Sequence, residues 1–110
     1  MEEAILRLYQ EPGIGASYTN TYGEENIRNL INMYHSLDDA GMQKMIQMVL
    51  NFSQSTDLAT SFVSVGVLHA LGQNEGVAEA YRWAKTQEDA QRIISHFEIG
   101  KSVADYFSPD

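Results

Sequence analysis

The residues best suited to acid–base or metal chemistry are the three histidines, His35, His69 and His96. Carboxylate di-metal sites of helical proteins place a glutamate three residues before a histidine, and none of the three has one. The absence of cysteine removes thiolate metal sites and cysteine nucleophiles. From the sequence we therefore assign no catalytic residue, no metal ligand and no cofactor.

The surroundings of each histidine support a structural role. His35 is followed by Asp38 and Asp39, the nearest approach to a ligand cluster, but a histidine at a helix end before N-terminal acids gives the same pattern. His69 falls on an apolar helical stripe, where a hydrogen-bonded residue at the edge of the core is favoured over a general base. His96 is predicted to be exposed.

An irregular segment carries residues typical of protein recognition. Tyr18, Asn20 and Tyr22 combine aromatic and amide side chains on a loop, and we predict that they contact a partner. The competing interpretation is that the two tyrosines pack over the end of the helices and hold the loop in place.

Two further positions are candidates for partner binding. Four of the five methionines lie between residues 33 and 48, and we include Met42 and Met45 because methionine adapts to varied surfaces. The same adaptability suits methionine to filling gaps in a core. Trp83 is offset from the apolar stripe of its helix, which predicts either an exposed anchor or a residue at the rim of the core.

The elements that must position these residues are helical. Apolar residues recur at helical spacing, the content of Leu, Ile, Val and Phe exceeds the ~20% expected of disordered chains, and the only prolines are Pro12 and Pro109. These features predict a single all-α domain over residues 1–110, built as a compact bundle or array of about five to six short antiparallel helices. Irregular structure is expected at about 11–23 and in a short flexible tail at 108–110.

Local signals predict where the helices begin and end. Pairs with N-capping spacing predict three starts: Thr21 with Glu24, Ser36 with Asp39, and Thr86 with Asp89. The β-branched segment within 57–71 also suits a short strand, but its length and the lack of a second strand favour a helix. The apolar residues after Gly100 are assigned to a separate turn.

The charge of the chain bears on its partners. The formal net charge is −8, which opposes nucleic acid or an anionic membrane as the main partner. Most of the acids lie at predicted helix starts, where the helix dipole favours negative charge, so they are assigned mainly to stability. No secretory signal or membrane span is visible, so we expect a cytoplasmic protein.

These features predict a small, acidic helical protein that binds another protein, as a regulator, inhibitor, adaptor or immunity-type protein without catalysis of its own. A structural subunit of an assembly would use the same surfaces, and a homodimer is compatible with the sequence. The alternative is a small-molecule sensor or enzyme with a pocket inside the bundle or at a dimer interface.

Overall fold

The computed structural model describes residues 1–107, so the predicted tail at 108–110 lies outside the described residues. Residues 1–107 form six α-helices and one short 3-10 helix. In chain order these are α1 (Glu2–Gln10), the 3-10 helix (Tyr18–Asn20), α2 (Glu24–His35), α3 (Asp39–Phe52), α4 (Leu58–Ala70), α5 (Asn74–Lys85) and α6 (Ala90–Asp105). The prediction of an all-α fold is confirmed, and the Cα radius of gyration of 12.8 Å is that of a compact chain.

Helix α4 lies at the centre of the molecule. Every residue from Ser61 to Leu68 is buried, and α2, α3, α5 and α6 all pack on this helix. A helix covered on all sides can be apolar around its whole circumference, which is why α4 has no separate apolar and polar faces. The strand alternative for this segment is therefore wrong, because tertiary packing overrides the β-branched preference.

The closest approach in the core is between α4 and α6. A Cβ on Gly66 would lie only 2.7 Å from the carbonyl oxygen of Gly100, and a Cβ on Gly100 would overlap the carbonyl oxygen of Phe62. Both glycines therefore serve close backbone packing. The prediction that Gly100 separates the last apolar residues into another turn is wrong, because α6 continues through it to Asp105.

The first predicted capping pair does not form. The residue before α2 is Gly23, whose φ of 76° is left-handed and favours glycine. The Glu24 carboxylate accepts a hydrogen bond from the backbone N–H of Tyr22 at 2.9 Å, and Thr21 makes no cap. Helix α2 begins at Glu24, within the predicted Thr21–Glu24 pair, but the residue that precedes the helix is Gly23 and not Thr21.

The hydroxyl groups of the other two predicted N-caps bind the preceding helix and not the following one. Ser36 and Thr86 donate from their hydroxyl groups to the carbonyl oxygens of Met33 and Trp83, at 2.7 and 2.6 Å. The same two carbonyl oxygens also accept from the backbone N–H groups of Ser36 and Thr86, both at 3.0 Å. Helix α3 is capped instead by Asp38, which accepts from the backbone N–H of Gly41 at 2.8 Å. Asp89 precedes α6 without a side-chain cap.

Candidate partner-binding site

Two buried asparagines hold the loop between α1 and α2. The Asn20 amide donates to Asn26 Oδ1 at 2.8 Å and accepts from the backbone N–H of Glu25 at 2.9 Å. The Asn26 amide donates to the carbonyl oxygens of Leu8 and Pro12 at 2.9 and 3.0 Å. Because buried amides need partners, this network ties the loop to both helices.

Burial changes the role of Asn20. Its side chain has no exposed surface, so in this fold it positions the loop and cannot touch a partner directly. The loop it positions displays its tyrosines, with Tyr18 99% and Tyr22 50% exposed. The interpretation in which both tyrosines pack closely over the helix ends does not describe Tyr18.

Tyr22 faces the last turns of α6 across a surface groove. This groove, which we call the tyrosine groove, has a volume of about 410 Å³, is open to solvent and is lined mainly by apolar atoms. Its lining residues are Tyr22, Glu98, Ile99, Ser102, Val103 and Tyr106. The fold thus brings a loop near the beginning of the chain against a helix near its end.

Tyr106 is the largest exposed side chain of the tyrosine groove and was not among the predicted site residues. It follows α6 directly and is 88% exposed. Ile99, Val103 and Tyr106 are spaced by four and three residues, so they share one helical face. That spacing is visible in the sequence, but it indicates a site only once the fold brings Tyr22 to the same groove.

Glu98 supplies the charge of the tyrosine groove. Its Oε2 accepts hydrogen bonds from the Tyr81 hydroxyl and from Lys101 Nζ, the latter at 3.4 Å. The Tyr81 hydrogen bond, more than the nearby Lys101, holds the pKa of Glu98 below its ordinary value. Burial and the Glu98 carboxylate both raise the pKa of Tyr81, so the pair is a neutral phenol donating to an ionised carboxylate.

The methionine candidates lie elsewhere. Met45 is fully buried in the core and cannot contact a partner directly in this fold. Met42 is half-buried and lines a second open groove of about 440 Å³, which we call the methionine groove. This groove shares no lining residue with the tyrosine groove and is formed by Tyr34, Ala40, Met42, Gln43, Lys44, Ile46, Gln47 and Gln73. Trp83 is half-buried against the core, at its rim.

The histidines are separate from both grooves. His69 Nε2 lies 2.8 Å from Asp105 Oδ1, a partner 36 residues away that only the fold supplies. His96 is half-buried, not exposed as predicted, because its ring packs 6.0 Å from that of Phe62. His35 is exposed and packs edge-on against its neighbour Tyr34.

The acidic and histidine side chains do not converge in the part of the chain that the structure describes. Over residues 1–107, no three such side chains are placed to hold a metal ion together. Likewise, none of the six described helices is both long and apolar enough to cross a bilayer.

Comparisons of the chain with models of protein families, with curated protein sequences and with solved structures find no match. The geometry of the grooves is therefore the basis on which a function is assigned.

Proposed function

We propose that this protein acts in the cytoplasm by binding another protein, as a regulator, inhibitor, adaptor or immunity-type protein without catalysis of its own. The observation that supports this most directly is the tyrosine groove, where Tyr22 and Tyr106 leave large aromatic surfaces exposed beside an apolar floor. Tyrosine is enriched at protein interfaces because its ring offers wide apolar contact while its hydroxyl stays hydrated.

The placement of the two tyrosines suits them to act as anchors. Both rings line the same groove, so we expect a partner side chain that enters it to contact both. Ile99 and Val103 also line the groove, and Val103 is buried. Anchors of this kind typically contribute about 1–2 kcal/mol or more to binding when removed singly.

The charge of the chain favours protein over other macromolecules as the partner. A net charge of −8 repels nucleic acid backbones and anionic lipid surfaces. Glu98, which lines the groove, and Glu24, which accepts from the backbone N–H of Tyr22, act in the same direction.

The small-molecule alternative has less support. An enzyme or sensor of this size needs a concave pocket that encloses most of its ligand. The tyrosine and methionine grooves are both open to solvent. Within residues 1–107, the only histidine paired with a carboxylate is His69, with Asp105, and neither residue lines these grooves. Among residues 1–107 His69 also has no hydroxyl hydrogen-bonded to it that would serve as a nucleophile.

The proposal is tested by an affinity pull-down from lysate of the cells that produce the protein naturally, at low and high salt, read by mass spectrometry. The double variant Tyr22→Ala/Tyr106→Ala is compared with Leu6→Ala, which removes an exposed apolar side chain that lines neither groove. We expect a stoichiometric protein partner that Leu6→Ala retains and the double variant loses. Circular dichroism of each variant verifies the fold.

Two results would count against the proposal. A partner that survives in the double variant would show that the tyrosine groove is not the binding site. The absence of any stoichiometric partner at either salt concentration would contradict a protein-binding function and would favour ligand screening.

A further inference from the structure

The chemistry of the tyrosine groove specifies its partner more closely. Glu98 lines the groove with its side chain 59% exposed, and both of its hydrogen bonds go to the same oxygen, Oε2. Among the described residues, no hydrogen bond reaches Oε1. One carboxylate oxygen is therefore held at the groove and left for an incoming donor.

The orientation of Glu98 is set from the core. Its partner Tyr81 packs edge-to-face on the buried ring of Phe97, with centroids 5.5 Å apart and an interplanar angle of 71°. Lys101 Nζ lies 5.1 Å from the Tyr81 ring centroid, on the same cluster. A carboxylate fixed in this way loses little further side-chain freedom when it binds a cation.

The cations near the groove are already engaged by the protein. Lys101 contacts Glu98 and the Tyr81 ring, and the Arg28 guanidinium lies 5.7 Å from the centroid of the Phe107 ring. Three carboxylates belong to the same part of the molecule: Glu98 lines the groove, Glu24 accepts from the backbone N–H of Tyr22, and Asp105 directly precedes Tyr106. His69 contacts Asp105 and adds positive charge only when protonated. The surroundings of the groove at neutral pH are thus acidic on balance, like the whole chain.

We propose that the tyrosine groove binds a basic, apolar segment of a partner protein. An aromatic or large aliphatic side chain of that segment enters between Tyr22 and Tyr106, and a neighbouring lysine or arginine contacts Glu98 Oε1. This inference rests on the proposed protein-binding function. The apolar contacts supply most of the affinity, while the ion pair orients the segment and speeds its association.

A second copy of this chain is the less suitable occupant. Two chains that each carry a net charge of −8 repel one another, and pairing through this face would bring their carboxylates together. A positively charged segment gains from the same field, so charge complementarity favours it.

The test uses a phage-displayed library of random dodecapeptides selected on the full chain. Parallel selections use Glu98→Gln and Tyr22→Ala/Tyr106→Ala. On the unchanged protein we expect enrichment of peptides with an aromatic or large aliphatic residue close to lysine or arginine. Glu98→Gln should keep the apolar preference and lose most of the basic one, whereas the double variant should lose the enrichment.

Affinity measurements on a synthetic consensus peptide then isolate the ion pair. Because exposed ion pairs are individually weak, Glu98→Gln should weaken binding by about three-fold. Charge reversal in Glu98→Lys should weaken it by about ten-fold or more, because it places like charges together. Glu79→Lys, an equal charge change at an exposed position outside both grooves, is the control and should change affinity by less than about two-fold.

The outcomes separate this inference from the proposed function. Enriched peptides that depend on both tyrosines but are neutral or acidic would overturn the basic partner and leave protein binding supported. The absence of any peptide that depends on the two tyrosines would overturn both. A dimer in sedimentation equilibrium that Tyr106→Ala dissociates would identify a second copy as the occupant and overturn the inference.

Discussion

The contact between α4 and α6 is held by close backbone packing, whereas the loop before α2 is held by side-chain hydrogen bonds. Between α4 and α6, Gly66 and Gly100 let two backbones touch, so shape complementarity defines the contact. In the loop, Asn20 and Asn26 supply hydrogen bonds to backbone that has no regular partner. The first region is therefore sensitive to added volume and the second to lost hydrogen bonds.

The largest expected effect comes from adding volume at the helix contact. Gly100→Ala should lower the free energy of unfolding by about 3 kcal/mol, because the new methyl group overlaps the Phe62 carbonyl oxygen and forces α4 and α6 apart. This loss opposes the ~1 kcal/mol that alanine gains over glycine in helix propensity. Urea denaturation measures the change, and Ser95→Ala, at an exposed position of α6, is the control. A neutral Gly100→Ala would mean that the contact is not tight.

Removing a loop amide should have a smaller and more local effect. Asn26→Ala leaves the Leu8 carbonyl oxygen without its side-chain donor and removes the acceptor of the Asn20 amide, so it should cost about 2 kcal/mol. Hydrogen exchange should speed up in the loop while the amides of α4 stay protected. Asn32→Ala, on the exposed side of α2, should change stability by less than about 0.5 kcal/mol. Equal loss of protection in α4 would show that the two regions unfold together.

One hydrogen bond joins α1 to the central helix and should contribute less than either region. The Tyr9 hydroxyl lies 2.6 Å from Ser64 Oγ, which itself donates to the Thr60 carbonyl oxygen at 2.8 Å. Tyr9→Phe keeps the ring and removes this bond, so we expect a loss of about 1 kcal/mol in the free energy of unfolding. An unchanged midpoint in urea would contradict that contribution.

The same tyrosine predicts a pH dependence of stability. Burial raises the pKa of Tyr9 above its ordinary value of 10.0, so above pH 10 the unfolded chain releases this proton more readily than the folded one. The contribution of Tyr9 is therefore complete below pH 10 and is lost as the pH rises beyond it. Stability should fall less steeply above pH 10 in Tyr9→Phe than in the unchanged protein. If stability fell equally steeply in the two proteins, the Tyr9 hydroxyl would have to be in contact with water.

The smallest effect should be seen at the tyrosine groove. Tyr81→Phe removes the main hydrogen bond that lowers the pKa of Glu98, so that pKa should rise toward the ordinary value of 4.5. Carbon-detected NMR titration of the Glu98 carboxyl measures the shift, and the pKa of Glu79 is the internal reference. Global stability should change little, because Glu98 is exposed. If the pKa of Glu98 did not change in Tyr81→Phe, Lys101 would be the main cause of its lowering.

The helices could be predicted well from the sequence, and their ends less well. Apolar spacing is a local property, so the helical class and the helical state of the 57–71 segment follow from it. The capping predictions at Ser36 and Thr86 failed because a hydroxyl between two helices can serve either one. Gly100 was misread because a glycine that ends a helix and one that permits close packing look alike in one sequence.

The candidate site shows the same division. The sequence by itself determined the helical class, the acidic net charge and the irregular segment that contains Tyr18 and Tyr22. Only the tertiary structure decided that Asn20 and Met45 are buried, that Tyr22 and Tyr106 line one groove, and that His69 pairs with Asp105. The physical reason is that helix formation depends on neighbours within a few residues. A groove, by contrast, depends on residues far apart in the chain, such as Tyr22 and Tyr106, being brought to one surface.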